Sequence, residues 1–64
     1  MVFDPRYGPD AQTPEQRTRV LHQLQAVHPR LLTHATAYAR QLYTRYVAGE
    51  LIWAEVRHLL DLAS

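Results

Sequence analysis

An all-α fold, a compact three-helix protein behind an extended N-terminal arm, is predicted by three features of this 64-residue chain. Thr13-Pro14-Glu15-Gln16 combines an N-cap residue, a proline at the first helical position and a glutamine that can close a capping box. Arg30 to Ala48 is the longest run free of Gly and of interior Pro, and its apolar residues recur at helical spacing. Gly49 then offers a left-handed C-cap position, and a further amphipathic stretch follows it. The division that results is an arm over 1–12 and a three-helix domain over 13–64.

The arm is read from turn signals, Asp4-Pro5 and Tyr7-Gly8-Pro9-Asp10. Phe3 and Tyr7 are its large apolar groups, and three fates are open to them: docking on the helices, wrapping a second subunit, or a partly frayed tail. The first helix starts at Thr13-Pro14. Val20, Leu21, Leu24 and Val27 line its apolar stripe, with Arg17, Arg19, His22, Gln23 and Gln25 mostly outside it. It ends near Val27, because Pro29 disfavours helical geometry at His28.

The central helix is predicted over Arg30–Ala48. At about 100° per residue, Leu31, Leu32, Ala35, Tyr38, Ala39, Leu42, Tyr43, Tyr46 and Val47 share one arc about 180° wide. Thr36 sits at its border. An arc that wide exceeds the stripe of about 100° that one neighbour requires, so this helix is expected to pack against two elements, with Leu42 at the centre of the core. The third helix is predicted from Ile52 or Trp53 to Leu62. Trp53, Val56, Leu59, Leu60 and Ala63 form its apolar side, and Arg57 and Asp61, spaced i, i+4, can pair. Ile52 stands where a Ser, Thr or Asp cap would be expected.

Composition bounds the function. An apolar fraction of 47% makes the chain foldable, yet a domain this short is marginal alone and commonly needs a staple. With no cysteine, disulfides and thiolate zinc sites are excluded, which leaves a protein partner or self-association, most simply a symmetric homodimer. The four histidines are nowhere three or four residues apart, so no two present themselves as metal ligands on one helix face. No carboxylate is flanked by the apolar pocket or the carboxylate partner that would signal a tuned pKa, no Gly-rich phosphate loop occurs, and Ser64 is the sole serine. No enzyme activity, metal or cofactor is expected. No apolar run reaches the about 18 residues of a membrane span, and the N-terminus does not read as a signal peptide; a cytoplasmic location is expected.

The function expected is therefore that of a small helical protein-interaction module. Tyr43, Tyr46, Trp53 and Arg57 are its predicted partner-binding residues, since the Gly49 corner should bring large aromatics beside an arginine, a composition common in binding hot spots. The same aromatics at helical spacing also read as core. The alternative is a small DNA-binding transcriptional regulator that presents Arg40, Arg45 or Arg57 to phosphates. Seven arginines against six acidic residues argue against nucleic acid as the partner, because nonspecific phosphate attraction requires a concentrated basic face.

Tyr46-Val47-Ala48-Gly49-Glu50-Leu51, followed by Glu55-Val56 and Leu59-Leu60, resembles the closing segment of small bacterial antitoxins of the VbhA type, in which a helix ends at Gly-Glu and an amphipathic helix follows. The resemblance covers about fifteen to twenty residues and implies a short helical antitoxin or inhibitor that clamps a Fic-domain toxin. The family's inhibitory signature, a Ser or Thr followed four residues later by Glu, is absent: Thr13, Thr18, Thr33, Thr36 and Thr44 are followed at that distance by Arg17, His22, Ala37, Arg40 and Ala48. None of the family's functional residues carries over to this chain.

Overall fold

A computed structural model describes residues 3–33 and 35–63; the helical assignment of His34 and the ends of the arm and of the domain lie outside them. Among the described residues all regular structure is helical, in the order α1 (Pro14–Val27), α2 (Arg30–Thr33), α3 (Ala37–Val47) and α4 (Trp53–Ala63). The start of α1 follows the predicted chemistry. Thr13 is extended and its hydroxyl accepts from the Gln16 amide at 3.1 Å, while the Gln16 side chain accepts from the Gln12 and Thr13 amides, which closes the capping box.

The predicted central helix is interrupted. Its first turn is α2, and Thr36, at φ −79° and ψ 170°, is extended and caps α3 by accepting from the Ala39 amide at 3.1 Å. A threonine hydroxyl that satisfies a local amide competes with continued helix, and here it wins. Leu32 and Tyr38, which a continuous helix would have turned to the core, are exposed as a result. The centre survives the break: Ala39, Leu42, Tyr43 and Tyr46 are buried, and Leu42 and Val56 are the largest fully enclosed side chains. As the width of the apolar arc requires, α3 packs against two elements, α1 and α4.

At its far end α3 closes in a Schellman motif. The Gly49 amide donates to the Tyr46 carbonyl at 3.0 Å and the Glu50 amide to the Arg45 carbonyl at 2.9 Å, with Gly49 at φ 86°, the left-handed conformation that glycine adopts without steric cost. A Cβ on Gly49 would also lie 3.2 Å from Nη2 of Arg17. Gly49→Ala is accordingly expected to cost about 1–2 kcal/mol in urea denaturation; an unchanged midpoint would mean the corner relaxes without resistance. Helix α4 starts at Trp53, and Ile52, which has no capping oxygen, receives half a capping box instead: its amide donates to the Glu55 carboxylate at 3.1 Å.

Of the three fates open to the arm, docking is the observed one for Tyr7, whereas Phe3 is exposed. The Gln12 amide group donates to the carbonyls of Asp4, Tyr7 and Gly8 at 2.9–3.0 Å, and its oxygen accepts from the Asp4 amide at 2.7 Å, so one side chain holds two consecutive turns. Tyr7 and Ala11 enter the core, and the Tyr7 hydroxyl donates to the Leu51 carbonyl at 2.7 Å across the molecule. Arg6, paired with Asp4 at 2.9 Å on the surface, holds that carboxyl below the usual carboxylate range, chiefly through the side-chain hydrogen bond.

Arg17, assigned by its spacing to the polar side of α1, is buried at 6% exposure. Its guanidinium donates to the Val47 carbonyl at 2.8 Å and the Ala11 carbonyl at 3.0 Å, and lies 5.0 Å from the centre of the Tyr7 ring. The positive charge thus sits at the C-terminal end of α3, where the unsatisfied carbonyls carry partial negative charge. One side chain joins the arm, α1 and the α3 corner.

Candidate interaction surface

The Gly49 corner does bring the four predicted binding residues to one region, but it divides them. Tyr43 and Tyr46 are 6% and 2% exposed and belong to the core. Trp53 is half-buried and Arg57 is exposed. The Trp53 ring stacks on Tyr43 at 6.0 Å between centroids and meets Tyr46 edge-on at 5.4 Å, and Tyr46 in turn lies 6.2 Å from Tyr7. These geometries are the favoured ones for aromatic pairs. Tyr43 also donates from its hydroxyl to the Leu31 carbonyl at 3.3 Å, tying α3 to α2. Burial raises the phenol pKa of both Tyr43 and Tyr46 above 10.0; the neutral forms are the buried ones, so their contribution to stability is complete below pH about 10 and is lost as pH rises through the folded-state values. Tyr43 is a structural residue, and truncating it cannot serve as a neutral surface probe.

What remains accessible is a groove. Helices α1 and α4 each pack on α3 but not on each other, and the slot between them has a volume of about 360 Å³. Leu24, Leu31, Trp53 and Leu60 supply its apolar walls, and His28, Arg57 and Asp61 its polar rim. The direction of the helices explains why it opens where it does. Arg17 ties the start of α1 to the end of α3, and Trp53 ties the start of α4 to the same end, so the two flanking helices both run toward the α2 end, where Leu31 of α2 lines the slot between them.

The exposed large apolar residues are concentrated at that same end. Val27 closes α1, Leu32 lies in α2 and Leu62 in the last turn of α4, at 71%, 60% and 70% exposure. Leu24, Leu31 and Leu60 were legible only as members of amphipathic stripes; that two stripes would face each other across an empty slot followed from no local signal. Among the described residues no group of three His, Asp or Glu side chains is placed to hold a metal ion, and no helix is long and apolar enough to cross a membrane. The outward face of α3 carries Arg40, Gln41, Thr44 and Arg45, with Arg45 lying 3.6 Å from Glu50.

No protein-family model, curated protein or solved structure matches this chain.

Proposed function

We propose that this chain is a small cytoplasmic helical protein-interaction module that works by receiving an amphipathic helix in the groove between α1 and α4. The observation that carries the reading is that the two flanking helices pack on α3 and not on each other, which leaves an apolar slot with a charged lip. Helix-in-groove binding uses such surfaces, with apolar anchors at helical spacing in the slot and polar contacts at its edge. Trp53 on the wall and Arg57 on the rim are residue types that dominate binding energy. An antitoxin or inhibitor that captures a helix of its target fits this architecture and the resemblance of residues 46–60 to VbhA-type antitoxins. The missing inhibitory signature directs the proposal to capture through the groove.

The DNA-binding alternative draws on a different face. No acidic residue occurs between Glu15 and Glu50, and the Arg40–Arg45 side of α3 faces solvent, but Glu50 stands beside Arg45 and offsets part of its charge. The two readings separate in one experiment. Immobilised wild-type chain is compared with Arg57→Ala in capture from the source cell, with native copies of the chain counted among the prey. The variant is expected to lose the specific prey while its stability stays within about 0.5 kcal/mol of wild type, as for an exposed substitution. Equal capture by both would remove Arg57 and its groove from the function. Retention on duplex DNA at low salt, abolished by Arg40→Ala, would replace the reading with its rival.

A further inference from the structure

We infer that the helix received by the groove is α4 of a second copy of this chain, laid antiparallel across a two-fold axis so that Arg57 meets the partner's Asp61 and Asp61 meets the partner's Arg57. The inference rests on the groove reading above and adds the identity of the occupant.

Surface area is the first argument. The chain exposes 4712 Å², whereas a folded monomer of 7.4 kDa is expected to expose about 4200 Å². Its radius of gyration, 11.6 Å, likewise exceeds the about 10.7 Å expected for its length. The surplus, about 500 Å², is close to what each partner contributes to an interface at the small end of the specific range. The slot opens at the end where Val27, Leu32 and Leu62 stand uncovered.

Charge placement identifies the occupant. Arg57 and Asp61 are on the groove's lip, two residues to either side of Leu59, and so about 3 Å along the axis from its level in opposite directions. A two-fold axis at the level of Leu59 therefore brings each arginine opposite the partner's aspartate, twice, with one geometry. A parallel arrangement would set like charges against each other, which costs binding. A carboxylate has about four acceptor sites, so Asp61 can receive the partner's guanidinium alongside contacts in its own chain. Between the two charges Leu60 points into the slot, where antiparallel α4 would carry the partner's Leu60 toward Leu24 and Leu31. The result is a four-helix contact of α1 and α4 from each copy, and self-complementarity of one patch is what a two-fold interface requires.

Sedimentation equilibrium of the full chain at micromolar concentration tests this. Wild type is expected to be dimeric. Arg57→Asp alone and Asp61→Arg alone should each weaken association by at least about tenfold, because each places like charges in both ion-pair positions. An equimolar mixture of the two variants should regain the dimer, since every contact in the mixed species is again between opposite charges. Both positions are exposed, and far-ultraviolet circular dichroism of each variant should match wild type. If Arg57→Asp were to lose its helical signal, Arg57→Gln, which removes one charge without reversing it, carries the same test with a smaller shift. A wild-type monomer, a dimer indifferent to the single reversals, or a mixture that fails to reassociate each overturns the inference. The groove reading fails separately, if Arg57→Ala captures the same prey as wild type or if the chain is retained on duplex DNA through Arg40.

Discussion

Arg17→Ala is expected to remove about 3 kcal/mol of unfolding free energy, measured by urea denaturation followed at 222 nm. A chain of this length has about 3–10 kcal/mol in total, so the loss is about a third of the stability or more. The loss has three parts. Hydrogen bonds from a charged donor contribute more than neutral ones, about 1.5–3 kcal/mol, and their removal leaves the Ala11 and Val47 carbonyls without the donor they now have. The guanidinium also lies over the Tyr7 ring, a contact worth about 0.5–2 kcal/mol according to its desolvation. Finally, the positive charge opposes the C-terminal end of the α3 dipole. Arg17→Lys should rescue little, because a single ammonium cannot reach two carbonyls on different elements with the planar fork that arginine presents. A loss below about 1 kcal/mol, the range of ordinary surface positions, would mean that water replaces these bonds at no cost and that the buried arginine is incidental.

The contrast between Arg17 and Gly49 explains which parts of this fold the sequence discloses. Gly49 and Thr13 are settled by chemistry within four residues, and both were legible because capping motifs have local signatures; the start of α4, where Ile52 has no capping oxygen, carried none. The fate of Arg17 is decided by a carbonyl thirty residues away and by an aromatic ring in the arm, so its position on the polar side of a helical wheel carried no warning. Thr36 is an intermediate case. It stands at the border of the apolar arc and is followed by Ala-Tyr-Ala, a combination compatible with both an interior helical residue and an N-cap. The nine-member apolar arc favoured continuity, and the local hydroxyl bond to Ala39 prevailed.

The candidate site divides along the same line. That the Gly49 corner would gather Tyr43, Tyr46 and Trp53 followed from the register of two helices around one glycine. Which of the rings faces inward depends on what the arm brings: Tyr7 seals Tyr46 from below, and only Trp53 and Arg57 are left on an accessible wall. The groove itself arises from an absence of packing between α1 and α4, and periodicity reports which face of a helix is apolar without reporting whether another helix reaches it.

Leu42→Asp is expected to abolish the cooperative thermal transition altogether. Leu42 is 1% exposed and lies in the face of α3 that packs between α1 and α4. Truncating such a residue to alanine costs about 2–5 kcal/mol, already comparable with the whole stability of the chain. Aspartate adds the desolvation of a charge at a position that is fully enclosed. The informative partner is Leu32→Asp. Periodicity places Leu32 on the same arc as Leu42, but the break at Thr36 leaves it 60% exposed, and its substitution should change stability by no more than about 0.5 kcal/mol in a circular-dichroism melt at low concentration. Loss of folding in both variants would indicate one continuous helix with a common buried face. Loss in Leu42→Asp alone would place the boundary of the core at the Thr36 cap.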